Sequence, residues 1–373
     1  MSAGESPIIM RLYTFSNECN ISNTSVELSA ETRGTYIFLV TTSPIAVLMN
    51  LFALIVLTRR RAIRLGSMRV NLITLTIFEI LLNLNILGVM FSKFSGLSEK
   101  RTTLAVILDV IMFCLLSWAL FARNWIITLI ALARCVAITR PMRTRLMSTH
   151  LFRPKPLAFC TITCLILGFT FSALRMFELH IVVCDNLDQK LQLLPSGGLQ
   201  GLVDTHFFFQ SAIPITIVFI TTLIMLIALY RARTLVLDDS PKERGDSRIS
   251  VTANRLRYTS GARQTHLCAE KQLNYRRTQN QLRATRMITL LAAIFIILEA
   301  PIFFCVILKK YFDPVFFNFV TTALKALVVL DSCANVIIYL FMSKRFRQES
   351  ARLWHKLTIR NRPFSVTQTE VVM

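Results

Sequence analysis

The sequence predicts an all-α membrane protein, a seven-transmembrane helix bundle followed by a short amphipathic surface helix. Three observations lead to this prediction. Of the 373 residues, 54% are hydrophobic and only 17% are charged, which leaves too little polar surface for a soluble protein of this length. Seven apolar stretches are long enough to cross a bilayer core of about 30 Å, which takes about 20 helical residues. The basic residues cluster between these stretches.

The seven stretches are separated by polar loops and occupy residues 36–57, 70–91, 104–138, 157–176, 207–230, 287–308 and 315–341. The third is the longest, and we expect it to be tilted in the membrane. The segment before them, residues 1–34, is polar and lacks the hydrophobic core of a cleavable signal peptide.

The loops alternate in charge, and this predicts the orientation of the chain. The first loop has five arginines and no acid, and the loop after the third stretch is again basic without an acid: Arg59, Arg60, Arg61, Arg64 and Arg69, then Arg140, Arg143, Arg145, Arg153 and Lys155. Residues 231–286 and the tail after 341 also carry a basic excess. Loops on the other side are mixed or acidic. The positive-inside rule then places the N-terminus outside the cell and the C-terminus in the cytoplasm.

The N-terminal stretch "CNISNTS" agrees with this orientation. It contains two acceptor motifs for N-linked glycosylation, at Asn20 and Asn23, and such motifs are modified only on the lumenal side. We therefore expect an extracellular segment (1–34), a transmembrane domain (35–342) and a cytoplasmic surface helix with a tail (343–373), in a multi-pass protein of the plasma membrane.

Two cytoplasmic segments have distinct patterns. The long loop 235–281 is polar and basic without apolar periodicity, so we expect most of it to be disordered. In "SKRFRQESARLWHKL", after residue 342, Phe346, Leu353 and Leu357 fall near one face with cations on the other. That pattern is typical of a helix lying on the membrane surface.

Composition and motifs argue against other function classes. The formal charge is +21, but the basic residues form no patch with aromatic platforms, so no nucleic-acid partner is expected. The five His show no metal-ligand spacing and no nucleophile pair is evident, so neither an enzyme nor a metal or other cofactor is indicated. Internal repeats or a ring of like charge would mark a transporter or channel, and neither is evident. A transporter or channel and a non-signalling seven-helix protein remain the alternatives to the function that the motifs described next indicate.

The stretch "RNWIITLIALARCVAITRPM", residues 123–142, resembles the end of the third helix in rhodopsin-like (class A) G-protein-coupled receptors. That family has Asp-Arg-Tyr, a few apolar residues, a basic residue and Pro; Arg134 takes the Arg position and Arg140-Pro141 begin the next loop. Other residues that are typical of the family occur in the family's order between residues 35 and 357. They are Asn50, Glu79 in place of an Asp, Pro214, Pro301, Asn335, Tyr339 and Phe346.

The resemblance implies a receptor that passes an extracellular signal to heterotrimeric G proteins by outward movement of the sixth helix. It implies that the G-protein-coupling end includes Arg134, Tyr339, Arg140 and Pro141. It also implies kinks at Pro214 and Pro301.

The sequence departs from the family at several of these marks. Ala133 stands where the family has an acid before Arg134. One restraint on the resting state is therefore missing, and we predict appreciable basal signalling. Val336 replaces the seventh-helix Pro, and Glu299 replaces a Trp two residues before the sixth-helix Pro.

A further departure concerns the extracellular disulfide of the family. Asp109 stands where a Cys usually begins the third helix, although the second extracellular loop does contain Cys184. Cys19 and Cys114 are both candidate partners, and a disulfide needs Cα atoms within about 7 Å.

Four ionisable residues fall near the middle of the apolar stretches: Glu79, Arg123, Glu299 and Asp331. A charge at mid-membrane costs about 2.5–3.5 kcal/mol on insertion scales, so we expect these groups to face the bundle interior and satisfy one another. We place Asn50 and Asn335 in the same polar network.

Related receptors hold a sodium ion beside the second-helix acid, and Arg123 falls where the third helix usually supplies a hydroxyl to it. We hypothesise that the guanidinium replaces sodium, pairing with Glu79 and Asp331. The alternative is that Arg123 snorkels or only neutralises Glu79.

The resemblance also narrows the ligand class. Leu116 stands where amine receptors have an Asp, and Val329 stands where retinal proteins have the Schiff-base Lys, so neither an amine nor retinal is favoured. Polar groups of both signs near the mouth suit a peptide: Asp109, Arg175, Glu178, Asp204 and Lys325. "RNW" before an Arg-Cys form of the third-helix motif resembles invertebrate neuropeptide receptors of the FMRFamide-like kind.

Overall fold

Eight α-helices make up most of the described chain in the structure, a computed structural model. The structure describes residues 13–15, 30–59, 68–94, 103–139, 154–174, 179–184, 190–195, 205–238, 261–311 and 313–360. The helices are α1 (Ala30–Thr58), α2 (Met68–Phe94), α3 (Thr103–Thr139), α4 (Pro154–Leu174), α5 (Ile213–Asp238), α6 (Gly261–Ile307), α7 (Pro314–Met342) and α8 (Lys344–Arg360).

Helices α1 to α7 are each long and apolar enough to cross a membrane, which confirms the predicted seven-helix bundle. The fifth span begins before α5, at Thr205. Many large apolar side chains on these helices point outward, among them Ile166, Phe169, Phe219 and Ile297. Their exposure fits an environment of lipid, in which helices satisfy their own backbone hydrogen bonds.

Helix α3 lies at the centre of the bundle, in contact with α2, α4, α5 and α6, while α1 packs against α2 and α7. Its 37 residues contain neither Gly nor Pro, so nothing within it breaks the hydrogen-bond ladder. Ile126, Ile127 and Ile130 of α3 are almost fully buried in the main core. Residues of α3 therefore face several neighbouring helices at once.

A small sheet adds a feature that the all-α prediction missed. Strand β1 (Tyr13–Phe15) runs parallel to β2 (Leu179–Cys184), which pairs antiparallel with β3 (Lys190–Pro195). The run Ile181-Val182-Val183 explains the central strand, because β-branched side chains favour a pleated surface.

The expectation of disorder across 235–281 is wrong at both ends of that loop. Helix α5 continues to Asp238, and α6 begins at Gly261 and extends over 47 residues. The start of α6 is rich in Gln, Arg and Ala, which are good helix formers, and it continues directly into a membrane-spanning helix. Residues 239–260 lie outside the described part of the chain.

The predicted surface helix corresponds to α8, which follows α7 after a single residue. Phe346 is buried and contacts Phe52 of α1 edge-on, with ring centroids 6.4 Å apart. Trp354 on α8 is 72% exposed. Phe346 and Leu353, which also packs against the main core, thus attach α8 to the bundle, while Lys344, Arg345, Arg347 and Arg352 are exposed.

Candidate functional site

A buried guanidinium at the centre of the bundle binds three carboxylates. Arg123 of α3 has no solvent exposure, and its Nε donates to Oε1 of Glu79 over 2.9 Å. Its two terminal nitrogens donate to Glu299 and Asp331. Because a guanidinium carries five donors in a rigid plane, one side chain can contact α2, α6 and α7 together.

The carboxylates reach this point because each lies on the inward face of a different helix. Glu79 is 0% exposed, Asp331 is 0% exposed and Glu299 is 6% exposed. The ring of Phe295, one turn before Glu299 on α6, lies 5.7 Å from the guanidinium carbon of Arg123. The four charged residues and this ring link α3 to three of its neighbours.

Amide side chains surround the charged residues. Asn335 of α7 donates to the same Glu79 oxygen over 2.8 Å. Asn50 of α1 and Asn83 of α2 both donate to the hydroxyl of Ser332, over 3.0 and 2.8 Å. The structure thus brings Arg123 together with all three acids and Asn335, while Asn50 joins through the residue next to Asp331.

Ser332 and Asn83 were not predicted as members of this network. A signal for Asn83 was present in the sequence, because it follows Glu79 by one helical turn within an apolar helix. No comparable signal marked Ser332, which lies beside Asp331 on a helix with several small polar residues.

Two of the four residues predicted to couple to the G protein lie in the described part of the chain. Arg134 is half-buried near the end of α3, eleven residues after Arg123 and so about 16 Å along the helix axis. Tyr339 of α7 is buried, and its ring lies 5.9 Å from that of Phe346. Arg140 and Pro141 lie outside the described residues.

The two predicted kink residues lie in different settings. Pro214 is buried just after a π turn (Phe208–Ala212), at the start of α5. Pro301 lies inside α6, two residues after Glu299. A proline in a helix leaves a carbonyl without its usual donor, so each position frees a main-chain carbonyl of its helix.

A second buried polar group lies between α3, α4 and the fifth span. His206 is 1% exposed and its Nε2 lies 3.1 Å from the hydroxyl oxygen of Ser117. Ser172 donates to the same Ser117 oxygen over 3.3 Å. The rings of Phe121 and Phe171 stack beside them, with centroids 6.0 Å apart. Sequence reasoning missed this cluster, because its members come from three separate spans.

Three of the six predicted ligand-binding residues lie in the described part of the chain. Asp109 of α3 and Lys325 of α7 are both exposed, whereas Leu116, next to Ser117, is half-buried against the main core. Arg175, Glu178 and Asp204 lie outside the described residues, as do the glycosylation candidates Asn20 and Asn23.

One of the two disulfide alternatives is corrected by the structure. Cys114 is a free thiol, 8% exposed and packed within α3, so it does not bond to Cys184 at the end of β2. Cys19 lies outside the described residues.

Comparison with known proteins identifies the family. A family model described as "7 transmembrane receptor (rhodopsin family)" matches residues 49–339, and a comparison with curated proteins finds no match. The matched range runs from α1 to Tyr339 of α7 and covers most of the chain. With seven helices able to cross a membrane, the protein is a multi-pass membrane protein that belongs to the rhodopsin family of seven-transmembrane receptors.

Proposed function

We propose that this protein is a receptor of the plasma membrane that binds an extracellular peptide and activates heterotrimeric G proteins. Its N-terminus is outside the cell in this proposal. The observation that carries the proposal is the family match over residues 49–339, since that family consists of signalling receptors and not of enzymes. Arg134, near the end of α3, is the proposed contact for the G protein once α6 moves outward.

The residues near the proposed extracellular end support a peptide ligand. Asp109 and Lys325 present opposite charges at exposed positions on α3 and α7. Leu116 offers no carboxylate for an amine. A ligand that carries both charged and apolar groups, such as a neuropeptide of the FMRFamide-like kind, matches this combination.

The ligand experiment is a second-messenger screen of amidated peptides on cells that express the protein at their surface. We expect one peptide class to give a saturable response, and cells lacking heterotrimeric G proteins to give none. Asp109→Asn and Lys325→Gln should lower potency, whereas Thr216→Val, an exposed position on α5, should not. Absence of any peptide response despite surface expression would favour a different ligand or a non-signalling role.

Within this receptor, Arg123 is the proposed replacement for the sodium ion of related receptors. Its three ion pairs support this role, because a fixed guanidinium occupies the carboxylate oxygens that a cation would need. Agonist affinity should therefore be insensitive to sodium at constant ionic strength. Arg123→Ser restores a small hydroxyl beside three acids and should make affinity depend on sodium. A strong sodium effect on the unmodified receptor would refute the replacement.

A further inference from the structure

The buried charged cluster of Arg123, Glu79, Glu299 and Asp331 contains more acid than base. Three carboxylates face one guanidinium, so the formal charge would be −2 if all four groups were ionised. Each residue is at least nine-tenths buried. Burying unbalanced charge is unfavourable, and proteins respond by neutralising one of the groups.

Two carboxylate oxygens in this cluster lack a donor from the protein. They are Oε2 of Glu79 and Oδ1 of Asp331, both fully enclosed. An ionised carboxylate offers about four acceptor sites and no donor. Each of these oxygens is therefore placed where a negative charge is poorly stabilised.

The neighbouring elements contribute mainly neutral groups to the cluster. Helix α7 contributes Ser332, Asn335 and Tyr339, and Asn50 of α1 and Asn83 of α2 reach the cluster through the Ser332 hydroxyl. The phenolic oxygen of Tyr339 and Oδ1 of Asn83 also lack partners. Every ion pair that the structure shows for these three carboxylates runs to Arg123.

From this imbalance we infer that the cluster is a proton-binding site, which holds one proton on Glu79 or Asp331. Protonation changes the formal charge of the cluster from −2 to −1 and converts one acceptor oxygen into a donor. Asn83, one turn from Glu79 on α2, carries an amide oxygen that still lacks a donor. The inference concerns the unliganded protein and does not depend on the proposed signalling function.

Infrared difference spectroscopy tests the inference directly, because the carbonyl stretch of a protonated carboxylic acid is separate from that of a carboxylate. The full chain in lipid nanodiscs at neutral pH should show an acid band that Glu79→Gln or Asp331→Asn removes. Asp313→Asn, at an exposed position outside the buried cluster, is the matched control and should leave this band unchanged. The expected loss corresponds to one carbonyl group per protein.

Isotope labelling keeps the test decisive if a variant fails to fold. Carboxyl labelling of all Glu or all Asp residues shifts the acid band in the unmodified protein and assigns it to one residue type. Finding only carboxylate bands for Glu79 and Asp331 would overturn the inference.

Discussion

The side-chain amide of Asn124 donates a hydrogen bond over 2.9 Å to the main-chain carbonyl of Gln210, which Pro214 leaves without its helical donor. In an α-helix the N–H of residue 214 would reach the carbonyl of residue 210, and in a π turn that of residue 209. Proline has no N–H. Trp125 donates to the second of these carbonyls, that of Phe209, over 3.0 Å. Two side chains of α3, next to the buried Arg123, thus satisfy both carbonyls.

Replacing Asn124 by Leu should destabilise the protein, because the buried carbonyl of Gln210 would lose its donor. An unsatisfied buried acceptor costs about 1–3 kcal/mol, so the melting temperature of the purified receptor should fall by a few degrees. Thr216→Val is the matched control on α5. The Thr216 hydroxyl is exposed and donates to the main-chain carbonyl of Ala212, one turn earlier in the same span. Equal melting temperatures for the two variants would contradict the role given to Asn124.

Replacing Arg123 by Met should be far more damaging, because three buried carboxylates would lose their only shown ion-pair partner. Removing one partner of a buried ion pair costs about 3–5 kcal/mol, and we expect little folded protein at the cell surface. Arg123→Lys should rescue poorly, since one ammonium cannot reproduce the planar set of donors. Surface expression and detergent thermostability are the measurements.

Arg352→Gln provides the contrast to Arg123→Met. Arg352 pairs with Glu349 on α8 over 2.6 Å, but its side chain is 54% exposed. Exposed ion pairs contribute about 0–1 kcal/mol, so this variant should express and melt like the unmodified protein. Comparable losses for Arg123→Met and Arg352→Gln would mean that the buried cluster does not stabilise the bundle.

The seven-helix architecture was predictable because lipid imposes a length and a composition on each span. The same constraint predicted that the ionised groups within the spans would have to face inward. Neither argument specifies which oxygen meets which nitrogen. Contacts such as that of Asn335 with Glu79 depend on helix rotation and register, which apolar composition leaves undetermined.

Features that combine distant segments of the chain could not be predicted from the sequence. The pair His206 and Ser117 joins residues 89 positions apart, and no local pattern links them. The parallel pairing of β1 with β2 brings together two segments separated by four membrane spans. A π turn before Pro214 was equally hidden, because residues 208–212 read as an ordinary apolar helix.

Gly168 of α4 marks a close approach to α3. A Cβ at this position would lie 2.6 Å from Cδ1 of Phe121. That ring is 4% exposed and stacks between Phe171 and Trp125, so it has little room to move. Gly168→Ala should cost about 1–3 kcal/mol, as overpacked cores usually do.

The matched control for Gly168→Ala is Gly34→Ala on α1. A Cβ there would meet nothing within 4 Å, and Ala is favoured over Gly in a helix by about 0.5–1 kcal/mol. Melting of the purified protein should therefore show opposite signs for the two Gly→Ala changes. A stabilising effect at position 168 would mean that the two helices separate easily there.

Cys184 should form a disulfide with Cys19. Strand pairing places Phe15, four residues before Cys19, opposite Val183, the residue before Cys184. The other candidate partner, Cys114, is a free buried thiol. Non-reducing peptide mapping should recover the two joined peptides. Cys19→Ser and Cys184→Ser should lower the melting temperature equally, while Cys114→Ser should change no disulfide. A mapped bond from Cys184 to any other cysteine would exclude the pairing.

Ala133→Asp should reduce nucleotide exchange on G proteins in the absence of ligand. Ala133 precedes Arg134 near the end of α3, and an acid there would place a carboxylate directly beside the guanidinium and add an ion pair that favours the resting state. A pair contributing about 1 kcal/mol lowers the active population roughly five-fold, because 1.4 kcal/mol corresponds to ten-fold. Ala133 is 7% exposed, so a polar side chain also carries a packing cost. Ala133→Asn isolates that cost, since it matches Asp in size without the charge. Exchange should fall with Asp and remain high with Asn; equal rates in all three proteins would show that the missing acid has no influence on basal signalling.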